Sequence, residues 1–91
     1  MIPIFNNMTD KKISYPQYRK YSNNKSYFKI ISADKFEEIK VTGNNKSIHL
    51  FEAKILPDRN LIYDMTYDYD NFWVKIEKSE YENIKNTASF S

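Results

Sequence analysis

From residue 27 onward, apolar and polar positions alternate with a period of two through several short segments, the repeat of a half-buried strand. Residues 27–32 form a compact run of β formers. In 36–42, Ile39 and Val41 alternate with Glu38, Lys40 and Thr42. The longest alternating segment is 46–56, with His49, Phe51, Ala53 and Ile55 on one side and Ile48, Leu50, Glu52 and Lys54 on the other. Residues 61–67 and 72–77 complete a set of five expected strands. Turn chemistry separates them. Thr42-Gly43-Asn44-Asn45 contains the only glycine, which is free to take positive φ, and Pro57-Asp58-Arg59-Asn60 and Asp68-Tyr69-Asp70-Asn71 follow.

Two short helices frame this β region. Pro16 suits a first helical position, and Gln17 follows Ser14 at capping-box spacing, so the pattern predicts a helix over 16–21 that ends at Ser22-Asn23-Asn24. Ser79 and Glu82 form a second capping box and predict a helix over 80–86, followed by a fraying tail. Residues 1–13 read as a loose arm or an added edge strand. The expected fold class is therefore α+β, mainly β. It is an antiparallel five-strand meander, strongly twisted or closed into an SH3-like barrel, with short helices near both ends. Residues 1–91 read as one domain, without repeats or linkers.

Length limits what such a domain can do. A chain of 91 residues buries only about 60–65% of its unfolded surface, enough for a core but not for a core plus a deep catalytic cleft. Cysteine is absent, so disulfides, thiolate metal sites and cysteine nucleophiles are excluded. Histidine occurs once, as His49, which excludes any site that needs two imidazoles. In its alternating strand, His49 reads as a packed, hydrogen-bonded residue rather than a general base. A single glycine cannot supply a nucleophile elbow or a phosphate-cradling loop. No apolar run reaches the length of a membrane span, and the start lacks the pattern of a signal peptide. The expectation is a cytoplasmic binding protein with no catalytic residues, no metal and no cofactor.

Charge is distributed unevenly. Residues 1–30 carry six basic residues against Asp10 alone, while 31–91 carry eight basic and eleven acidic ones. The basic segment is rich in rings. Tyr18, Arg19, Lys20, Tyr21 and Lys25, with Tyr15, Tyr27, Phe28 and Lys29 around them, interleave stacking groups and cations. That mixture suits single-stranded RNA or DNA, with rings on bases and ammonium groups on phosphates, or a protein partner. The same residues also suit a core with a solvated lysine face. A second candidate surface is the acidic, aromatic turn around Asp68 and Asp70, with Asp64, Tyr67 and Tyr69 beside it. It lacks the glycine and distal glutamate of a calcium loop, and it suits a basic partner whose groove otherwise holds phosphates. Trp73, out of phase with Phe72, Val74 and Ile76, is either an exposed interface anchor or the cover of a second sheet face.

One resemblance adds to this reading. Lys25-Ser26-Tyr27-Phe28-Lys29-Ile30, Phe36-Glu37-Glu38-Ile39, His49, Phe51, the run from Ala53 to Asn60, Asp64-Met65, Trp73 and Glu80-Tyr81-Glu82 resemble small phage and prophage proteins of AT-rich Bacteroidota. Within that group the chain is similar to anti-CRISPR proteins directed at a type VI-B RNA-targeting effector. The resemblance covers about two-thirds of the chain and carries no functional residue across. It implies a phage-type stoichiometric inhibitor that binds a host nucleic-acid-handling protein, such as a CRISPR effector nuclease with its guide RNA, in the host cytosol. The alternative is direct binding of single-stranded nucleic acid.

Overall fold

The computed structural model describes residues 13–90, so the expected arm over 1–13 lies almost wholly outside the described residues. Four strands follow one another as an antiparallel meander: β1 (Gln17–Tyr21), β2 (Ser26–Ser32), β3 (Lys35–Thr42) and β4 (Asn45–Glu52). The connections are tight. Ser32 faces Lys35 across one two-residue loop, and Thr42 faces Asn45 across another. In the second, Gly43 adopts φ 60°, the left-handed conformation that such hairpin loops require.

The chain then leaves the β4 edge through helix α1 (Leu56–Tyr67) and returns at the opposite edge as β5 (Trp73–Lys75), antiparallel to β1. Helix α2 (Lys78–Lys85) carries it back to the β4 edge, where β6 (Ser89–Phe90) pairs parallel to β4. The sheet order is β5-β1-β2-β3-β4-β6. The class is α+β, mainly β, with five antiparallel strands in one twisted sheet that does not close into a barrel.

Alternation along the strands gives the sheet two buried faces, and each helix covers one. Phe28, Ile30, Phe36 and Ala53 pack with Ile62 and Met65 of α1 and with Trp73. On the other face, Tyr18, Tyr27, Ile39 and Ile48 pack with Ile76 and with Tyr81 of α2. Burying side chains of this kind is worth roughly 1.5–3 kcal/mol each, and two half-cores share that gain.

Three expectations about the elements are corrected. Residues 16–21 do not form a helix, so there is no helix near the N-terminal end of the described chain. The Gln17 side-chain Nε2 donates to the Ser14 carbonyl at 2.6 Å, and residues 17–21 form a strand paired with β2 on one edge and β5 on the other. Residues 61–67 belong to a helix, not a strand. Pro57 stands in its first turn and Asp58 beside it, both favoured there. The buried residues Ile62, Met65 and Thr66 follow the helical spacing. The C-terminal helix exists, but it starts at Lys78 after Glu77, without a side-chain cap from Ser79.

Candidate functional site

The basic, ring-rich segment is strand β1, and its functional groups are largely used inside the molecule. Arg19 is only 2% exposed. Its Nε donates to the Met65 carbonyl at 2.8 Å, Nη2 to the Thr66 carbonyl at 3.2 Å, and Nη1 to the Tyr18 carbonyl at 2.8 Å. Met65 and Thr66 lie in the last turn of α1, whose carbonyls have no partners within the helix. No basic residue of α1 itself occupies that turn. The guanidinium of β1 therefore caps α1 from outside and meets the negative end of its dipole. Tyr69 completes the enclosure, with its ring 4.2 Å beneath the guanidinium carbon. Burial lowers the Arg19 pKa, and Tyr69 opposes that shift.

The neighbours of Arg19 are similarly engaged. Tyr18 is buried against Tyr81, with ring centroids 5.3 Å apart. Lys20 pairs with Glu80 of α2 at 3.0 Å. Tyr21 is half-buried, stacked on Trp73 and edge-on to Phe28. Lys25 is exposed, and its backbone N–H donates to Asn23 Oδ1. Trp73 is buried at 8% exposure, and its Nε1–H meets no acceptor among the described residues. Phe72 and Val74 on either side of it are exposed. Of the two readings of Trp73, the structure therefore places it in the interior.

On the α2 face, buried Glu37 accepts from the Tyr81 hydroxyl at 2.8 Å and pairs with Lys85 at 3.1 Å. Burial pushes the Tyr81 pKa well up, and the bond to Glu37 adds to it. His49 is half-buried, with Nε2 3.0 Å from Ser47 Oγ. Among the described residues, no three His, Asp or Glu side chains converge to hold a metal ion.

The outer surface of α1 has the opposite character. Tyr63 is 59% exposed and Tyr67 51%, and their rings lie 4.7 Å apart, one turn from each other. Leu56 and Leu61 are exposed on the same helix. Asp58 and Asp64 are exposed with them, as are Asp68 at the helix end and Asp70 in the following turn. Arg59 is the one cation of this stretch. Tyr15, Arg59, Tyr63 and Tyr67 border a cleft of about 400 Å³ at the side of the helix.

The structure thus leaves Asp68 and Asp70 exposed as part of a larger acidic, aromatic surface, whereas Tyr18 and Arg19 are buried and Lys20 is paired with Glu80. Arg19 reaches this end of α1 only from beneath, through the Thr66 carbonyl and the Tyr69 ring. The sequence places Tyr67 beside the acidic turn but gives no reason to add Tyr63. Their signal was two tyrosines four apart among aspartates, which marks one helix face only once 56–67 is read as a helix. Compared with protein-family models, curated proteins and solved structures, the chain matches none.

Proposed function

We propose that the chain is a stoichiometric protein-binding inhibitor of phage type, which occupies a host nucleic-acid-handling protein such as a CRISPR effector ribonucleoprotein. The observation that carries the reading is the exposed surface formed by the outer face of α1 and the turn after it, where Tyr63 and Tyr67 stand with Asp64, Asp68 and Asp70. Proteins that handle nucleic acid present basic grooves to phosphates. An acidic helix complements such a groove in charge and steers the encounter, and tyrosines supply the anchoring contacts. No catalytic step is assigned to the chain.

Direct binding of single-stranded nucleic acid has less support. The rings it would stack on bases, Tyr18, Tyr27 and Phe28, are buried, and Arg19 is enclosed. The exposed tyrosines of α1 stand in a negative field that repels phosphates.

A tagged pull-down from cells expressing a candidate effector, with and without nuclease, tests the reading. A protein partner retained after nuclease treatment is the expected result. Recovery of RNA or DNA alone, lost on nuclease treatment and weakening log-linearly with salt, would replace it with direct nucleic-acid binding.

A further inference from the structure

Between β3, the end of β4 and the first half of α1 lies a slot of about 220 Å³. Phe36, Phe51, Ala53 and Leu61 form its apolar lining, and the acidic residues Glu38 and Asp58 border it. Glu52 also borders it, although strand alternation turns its side chain to the other sheet face. Phe51 lies against Phe36, with centroids 4.9 Å apart and an interplanar angle of 21°, yet it is 42% exposed. Leu61 is exposed as well. The apolar lining is thus left partly open beside two acids, with no lysine or arginine among the residues lining the slot. His49 stands opposite Glu38 in the β3–β4 register, with its ring 6.3 Å from the Phe51 ring, at the slot's border.

We propose that this slot takes an arginine side chain of the protein partner. The inference rests on the protein-binding reading above and names the chemistry of one contact. Three features select the guest. The volume is below the roughly 300–1,000 Å³ of small-molecule sites, so it suits one side chain. The two acids call for a cation, and the absence of any three converging metal-ligating groups among the described residues makes a bare ion a poor guest. The open ring of Phe51 favours a planar cation. A guanidinium stacks on an aromatic face and donates to two carboxylates at once, which an ammonium does less well. Ser26 Oγ donates to Glu38 Oε2 at 2.7 Å and holds that carboxylate in place.

The test is an NMR titration of the full chain with the peptide acetyl-Gly-Gly-Arg-Gly-Gly-amide and with its citrulline counterpart, which keeps the shape and lacks the charge. The expected result is saturating shifts at the amides of Phe51, Ala53, Asp58 and Leu61, with citrulline weaker by about tenfold or more. The variant Glu38→Gln with Asp58→Asn keeps an acceptor for Ser26, and its circular dichroism should match the wild type while arginine binding falls by a similar factor. Equal binding of citrulline, or no shifts at these amides, would overturn the proposal. A concentration-dependent dimer that the double variant abolishes would also overturn it, by placing Arg59 of a second copy in the slot. If the double variant still captures the nuclease-resistant partner at full yield, the slot is not the contact, and the protein-binding reading stands. If wild type captures no protein while the arginine peptide binds, the protein-binding reading fails and the slot's preference for arginine stands.

Discussion

Strand β1 and helix α1 are both rich in tyrosine and charge, and the fold uses them in opposite ways. In β1, successive side chains enter two different half-cores, so each ring is packed and the central cation is enclosed. In α1, Ile62, Met65 and Thr66 are the buried residues, and Tyr63, Asp64 and Tyr67 remain exposed. The two regions are also linked. Arg19 of β1 holds the last carbonyls of α1, so the basic segment supports the acidic helix. Composition alone therefore does not separate a binding surface from a core; the periodicity of the element that carries the residues does.

That contrast can be broken most severely at Arg19. Arg19→Ala should cost roughly 3–5 kcal/mol in urea unfolding, because two helix-end carbonyls lose a charged donor and a buried space opens. Arg19→Lys should recover only part of this, since an ammonium cannot reproduce the guanidinium fork. A loss below about 1 kcal/mol in Arg19→Ala would mean that β1 does not hold α1.

The second break is at Tyr81. Tyr81→Phe removes the bond to Glu37 and should cost about 1–2 kcal/mol. It should also change the response to alkali. The folded chain keeps Tyr81 neutral well above its ordinary value of 10.0, whereas the unfolded chain ionises near that value. Its contribution is therefore complete below pH 10 and falls as pH rises above it. Burial raises Tyr18 and Tyr21 in the same direction. Wild-type stability should decline above pH 10, less steeply in Tyr81→Phe, and equal slopes in a pH series of melts would refute this assignment.

Smaller effects sharpen the contrast. Lys20→Ala removes a half-exposed pair with Glu80 and should cost roughly 0.2–1 kcal/mol, less at high salt. Asp68→Asn with Asp70→Asn should leave stability within about 0.5 kcal/mol while reducing partner capture in the nuclease-treated pull-down. Unchanged capture would move the contact away from the acidic end of α1.

The central sheet was legible in the sequence because 27–32 is a compact run of β formers, β3 and β4 alternate, and Thr42-Gly43-Asn44-Asn45 stands where their loop forms. Pro57-Asp58-Arg59-Asn60, expected as the turn after β4, instead lies in the first turns of α1. The opposite orientations of His49 and Phe51 against Ile48 and Leu50 also follow from that alternation. Two elements were not legible. At 16–21, a local capping signal from Ser14, Pro16 and Gln17 competed with long-range pairing to β2 and β5, and the pairing prevailed. At 56–67, tyrosines and isoleucine suggested a strand, while Pro57 in the first turn and Ile62 with Met65 at helical spacing carried the true period. Trp73 was ambiguous because its strand is three residues long, too short for alternation to fix its face. The acidic turn at Asp68 and Asp70 was visible as a polar cluster. Tyr67 belonged to that cluster, and its pairing with Tyr63 follows only from the helix over 56–67.

The most direct test of the account is a nuclease-treated pull-down that compares Tyr63→Ala with Asp64→Lys, a double change on the outer face of α1, against Lys20→Ala on β1. Both proteins should keep the wild-type circular dichroism spectrum. The account predicts that the α1 variant loses the partner and the β1 variant retains it; retention by the first and loss by the second would place the contact on the basic strand and contradict the account.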